Sequence, residues 1–164
     1  MTKVEFNPFD KASIDAAIRE IEKQTARLLS KERELRIRLA ALGASVAHVQ
    51  FSGAVYDGVN DVSVRVEDAG NMAVVYAEGK SVAFIEFGSG AMYGGGHPLG
   101  AELGLVPGSW STGEEGKGHW DDPEGWYYEH DKKSWGNPPA MAMANARDEM
   151  VAQITAIARE VFSK

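Results

Sequence analysis

Residues 88–139 hold 13 of the chain's 18 glycines and all four of its tryptophans, Trp110, Trp120, Trp126 and Trp135. Glycine frees the backbone, so a stretch this rich in it favours neither a long helix nor a long strand. It is also too long for an ordinary connection between elements. Its aromatic content argues against disorder, because disordered segments are poor in aromatics. The stretch therefore reads as an ordered excursion, an arm, whose aromatic side chains need a surface to lie on. Within it "DPEGWYYEHDKKSWG" suggests a short hairpin, with Trp126, Tyr127 and Tyr128 on one strand.

The flanks of the arm are regular. Asp10 or Ser13 can cap a first helix, and Ile14, Ala17, Ile18, Ile21, Thr25 and Leu28 follow at three- and four-residue spacing. The seam continues through Leu35, Leu39, Leu42, Val46 and Val49, and Gly43 and Gly53 predict a break or bend near one of them. After Tyr56 the period changes to two: Val62, Val64 and Val66 alternate with Ser63, Arg65 and Glu67. "DAGN" and "EGKS" are turns, so "MAVVYAEG" and "SVAFIEFG" read as second and third strands of an antiparallel meander. Beyond the arm, Pro138 and Pro139 launch a helix with the stripe Met143, Ala146, Met150, Ile154, Ile157 and Val161. The expected organisation is one α+β domain. Its parts are a helical region at 1–57, strands at 60–88, the Gly/Trp-rich arm at 89–138 and a C-terminal helix at 139–164.

Composition narrows the chemistry. There is no cysteine among the 164 residues, which removes disulfides, thiolate metal sites and cysteine nucleophiles. No apolar run approaches the roughly 18 residues of a membrane span, and "MTKVEFNPFDK" lacks the apolar core of a signal peptide. Synthesis in a cytoplasm is expected. The net charge of −7 is uneven: residues 1–40 balance to +2 and residues 41–164 to −9. An acidic body is a poor surface for gripping phosphates. A DNA-binding module would have to use the helix stripe Arg27, Lys31, Arg36 and Arg38, and such mixed charge reads first as a solvated helix face.

No catalytic motif is present. His97, His119 and His130 lie among the acids of the arm, but none forms HxH or HExxH, so a metal-dependent hydrolase built on them is the weaker alternative to solvated or interface-packed histidines. "GEEGKGH" lacks the spacing of a phosphate loop, and no serine sits in GxSxG. No cofactor is expected. Glu86 interrupts the apolar run "VAFIEFG"; it either points outward or pairs with a neighbouring subunit. The tryptophans, with Tyr93, Tyr127 and Tyr128, can stack on bases or sugars, but the acidity of the arm favours a protein contact.

"AFIEFGSG" (83–90), "GHWDDPEGWYYEHD" (118–131) and "WGNPPAMAMANARDEM" (135–150), in that order after a helical half, carry a resemblance. The chain resembles the morphogenesis proteins of tailed bacteriophages: the neck, head–tail joining and tail-completion proteins. In that family a strand ending in EFGTG precedes a glycine- and aromatic-rich insertion, and a short proline–alanine motif opens the last helix. Glu86, Phe87, Gly88, Ser89 and Gly90 match the first motif, with Ser89 in place of threonine. Pro139, Ala140 and Met143 match the second, where "MAMANA" replaces the usual methionine–proline.

The resemblance implies an α+β fold in which a small antiparallel sheet packs against the long N-terminal helix and the C-terminal helix. It also implies a non-enzymatic subunit of a virion ring at the portal-to-tail junction, contacting copies of itself and portal, head-completion and tail proteins. Candidate interface residues are then Glu86, Phe87, Gly88, Tyr93, Trp110, Trp120, Trp126, Tyr127, Trp135, Pro139 and Met143. Acids facing the lumen, with Asp57, Asp61, Glu67, Asp68, Glu114 and Glu115 as candidates, would let DNA pass without specific binding. Their other role is to keep the free subunit soluble.

Overall fold

A computed structural model describes residues 3–55, 58, 60–88, 97–99, 102 and 138–163, together with the backbone of 126–128 and 132–134. The first element is a helix of 42 residues, α1 (Lys11–Ser52), capped by Asp10, whose side chain accepts from the Ala12 N–H. It runs through Gly43 and ends at Gly53. The break expected at one glycine is thus a stop at the second. Gly43 stays inside the helix, where its missing side chain makes room: a Cβ there would lie 2.6 Å from the Met150 sulfur.

Next come β1 (Ser63–Asp68) and β2 (Ala73–Glu78), an antiparallel pair in register from Ser63 opposite Glu78 to Asp68 opposite Ala73. The expected turn closes them, with Ala69 N–H donating to the Met72 carbonyl. Val62, just before β1, and Val64 on it pack toward the core, whereas Val66 is exposed near the turn. On the outer face Arg65 joins Glu67 and Glu78 and lies over the Tyr76 ring.

The third strand is not there. Val82–Phe87 form a short helix, α2, so the meander stops at two strands. A six-residue apolar run does not distinguish strand from helix by period. Ile85 and Glu86 are adjacent and both buried, which an alternating strand would prevent; one helical turn faces both inward together with Ser81. Asp61 holds the start of this helix, accepting from the N–H groups of Lys80 and Ser81.

Within the arm, β3 (Trp126–Tyr128) and β4 (Lys132–Ser134) form the expected small antiparallel hairpin. The last element is α3 (Ala142–Ser163), which lies antiparallel along the C-terminal half of α1. Met150 sits at Gly43, Glu160 pairs with Arg38, and the Lys31 ammonium donates to the Val161 carbonyl. The core is where α1, α2 and α3 meet the sheet: Ala47, Phe51, Ile85, Ala142 and Ala146, with Val46, Val62, Val64, Ala77 and Met143 packed around them. The expected α+β architecture, a small antiparallel sheet against a long N-terminal and a C-terminal helix, is what the chain adopts. Among the described residues no helix is long and apolar enough to cross a membrane.

Three surface carboxylates are tuned by this framework. The Ser81 and Lys80 N–H groups hold the Asp61 carboxyl below the usual carboxylate range, the Arg33 guanidinium does so for Asp68, and Arg65 does so for Glu78. A carboxyl lowered on folding contributes stability that is present above its unfolded value and lost as pH falls through its folded value. Stability should therefore decline as pH drops below about 4. Urea midpoints near neutral pH and near pH 3 measure the decline, and Asp61→Asn should make it smaller.

Candidate functional site

The start of α3 carries no capping residue of its own. The sequence there is Pro139-Ala140-Met141-Ala142-Met143, without a side-chain oxygen to accept the first free N–H groups of the helix. Those donors are met from α2. The Glu86 carboxylate, buried at the end of α2, accepts from Met143 N–H at 2.9 Å through Oε2 and from Ala144 N–H at 3.1 Å through Oε1. A negative charge at this point is also favoured by the dipole of the helix. The backbones are tied as well: Ala140 N–H donates to the Ile85 carbonyl and Met141 N–H to that of Glu86. Met141 has φ of 53°, the only positive value for a non-glycine among the described residues, so the turn into α3 is strained and held by these bonds.

The third ligand of the carboxylate comes from the arm. His97 Nε2 lies 3.0 Å from Glu86 Oε1, and the two side chains are 2% and 5% exposed. The Leu99 N–H donates to His97 Nδ1 at 3.0 Å, which makes that nitrogen the acceptor and places the ring proton on Nε2, donating to Glu86. The Phe87 ring meets the imidazole edge-on, with centroids 4.5 Å apart. One buried carboxylate thus joins the end of α2, the start of α3 and the first part of the arm. The expected outward side chain gives way to this arrangement: Glu86 is buried, and its partners among the described residues are in its own chain. His97 is not solvated: it is buried beside Glu86, and both of its nitrogens have partners.

The buried carboxylate and imidazole are engaged with each other and with backbone donors, so the arrangement holds the elements together. Among the described residues no three His, Asp or Glu side chains are grouped to hold a metal ion. His119 and His130 lie outside the described residues.

Of the interface candidates, Glu86, Phe87, Gly88, Pro139 and Met143 are brought together at this junction, although the two groups are more than 50 residues apart in sequence. Tyr93, Trp110, Trp120 and Trp135 lie outside the described residues. Trp126 and Tyr127 stand on β3, of which the backbone alone is described. Among the lumen candidates, Asp61 accepts from the Lys80 and Ser81 N–H groups just before α2, Glu67 pairs with Arg65 and Asp68 with Arg33; Asp57, Glu114 and Glu115 lie outside the described residues.

The basic stripe does not form one free surface. Lys31 and Arg38 turn to α3, while Arg36 bonds Glu32 and the Gly70 carbonyl on another side. Sequence reading missed the roles of His97 and Met141. The usable signal was the uncapped "PAMAM", which requires an acceptor from elsewhere, and Glu86 was the one acid in an apolar run.

Gly88 follows Glu86 with φ of 77° and ψ of 175°, a conformation essentially reserved for glycine. Gly88→Val should cost about 1–3 kcal/mol or more, read as a lower urea midpoint; an unchanged midpoint would show that the backbone tolerates a side chain there.

Compared with known proteins, the chain matches no family model, no curated protein and no solved structure.

Proposed function

We propose that the chain is a structural, non-enzymatic subunit that assembles with copies of itself into a ring at the head–tail junction of a tailed phage, and that it helps join tail to capsid. The resemblance of "AFIEFGSG", "GHWDDPEGWYYEHD" and "WGNPPAMAMANARDEM" to neck and tail-completion proteins is the starting point. The observation that carries the reading is the Glu86 junction. The first and last of those motifs meet there, so the Gly/Trp-rich arm leaves and returns at one buried clamp. A rigid base under a long aromatic arm suits a contact made with a neighbour, since aromatic residues are favoured at protein interfaces. His97 fastens the beginning of the arm to that base.

In this reading the arm reaches an adjoining subunit, portal and tail proteins bind the two faces of the ring, and DNA passes through the lumen unbound. The acid excess of residues 41–164 supports the last point. A DNA-binding role for the α1 stripe is less favoured, because Lys31, Arg36 and Arg38 already bond within the chain. The test is genetic. Removing the gene from a phage that carries it should leave filled heads and complete tails unjoined. Normal infectious particles without the protein would contradict the proposal.

A further inference from the structure

His97 joins the clamp through two unlike bonds. Its Nε2 carries the ring proton toward Glu86 Oε1, and its Nδ1 accepts from the Leu99 N–H at 3.0 Å. The ring is buried, but the bend that follows it is not: Pro98 is exposed and Leu99 half-buried. Proline fixes the backbone between them, and the bend closes onto the ring through the Leu99 N–H. Histidine is the side chain that ordinarily gains its charge between pH 8 and 5. A second proton on His97 can go only to Nδ1, because Nε2 already carries one. Nδ1–H would then face the Leu99 N–H, donor against donor, beside a buried ring. Both donors would need new acceptors, since a buried donor left without one is costly.

The bond to Glu86 responds in the opposite sense. It would join two charges, and a charge-assisted hydrogen bond is about twice as strong as a neutral one. The groups around His97 keep it there. From α2 it meets the Glu86 carboxylate and the Phe87 ring. From α3 the Met143 and Ala144 N–H groups hold the same carboxylate in place. From its own bend it meets the Leu99 N–H. We propose that His97 is a protonation switch for the bend at 97–99: neutral, it closes the bend onto the clamp, and charged, it stays with Glu86 while the bend lets go. The closed bend binds one proton fewer than the open one, so its stability is present above the histidine range and lost as pH falls through it. Met143 and Ala144 donate to Glu86 in both forms, so the α2–α3 contact stays closed. Acid thus loosens this attachment of the arm and leaves its base intact, whether or not the chain forms a ring.

The test is hydrogen exchange of the full chain at about pH 7.5 and about pH 5.5, either side of the ordinary histidine value, corrected for the pH dependence of exchange itself. Protection of the Leu99 amide should fall about tenfold at the lower pH, the scale of one lost hydrogen bond, while the Met143 and Ala144 amides change little. His97→Asn does not titrate, and an asparagine oxygen accepts from the backbone N–H two residues on, so its Leu99 protection should be the same at both pH values. Equal Leu99 protection in the unchanged chain, or a pH dependence that persists in the asparagine variant, would overturn the proposal. Nitrogen NMR of the unchanged chain checks it without substitution. His97 Nδ1 should pass from acceptor to protonated over this range, and a ring still neutral at about pH 5.5 would equally overturn it.

Discussion

Glu86→Ala is expected to lower the stability of the folded chain by about 3–5 kcal/mol, the scale for removing one partner of a buried charged network. The deletion leaves three donors without acceptors: the part-buried N–H of Met143 and the buried Ala144 N–H and His97 Nε2–H. Each orphaned buried group costs about 1–3 kcal/mol, and the cap of a 22-residue helix is lost with them. Against a total stability of about 5–15 kcal/mol for a domain, the variant should lose a large share of its margin. Glu86→Gln should fall between, because it keeps one oxygen but turns an amide N–H₂ toward a donor. Urea unfolding followed by circular dichroism reads both. A loss below about 1 kcal/mol for the alanine variant would mean that the carboxylate does not organise the junction.

Phe51→Ala should be comparably damaging, at about 3–5 kcal/mol. Phe51 is buried at the end of α1, in the cluster it shares with Ala47, Ile85, Ala142 and Ala146. Its neighbours are mostly small, so they cannot collapse into the space the ring leaves, and a cavity persists. Its carbonyl also accepts from the Asn60 side chain and the Ala54 N–H, which fix the exit from α1 toward β1. Thermal or urea unfolding measures the loss, and Phe51→Leu should recover much of it by refilling the space. Equal stability of the alanine and leucine variants would contradict a packed ring at this site.

Much of this fold was legible in the sequence because its elements are long or locally punctuated. The three- and four-residue spacing from Ile14 onward and from Met143 onward marks α1 and α3, and Asp10 announces the first of them. The alternation at Val62 and Val64 and the turn "DAGN" mark β1 and β2. What escaped reading depends on tertiary contact. "VAFIEF" is short and apolar enough to be either strand or helix, and only the burial of adjacent Ile85 and Glu86 decides. The link between Glu86, His97 and the start of α3 joins residues 11 and 57 positions apart, which no local pattern encodes.

The central claim is the proposal that this chain closes into a ring with copies of itself. Electron-microscopic imaging of the purified full-length protein, at concentrations where sedimentation shows assembly, tests it most directly. The expected images are closed particles with rotational symmetry and an open centre. Single copies at every concentration, or open chains of variable length, would contradict it.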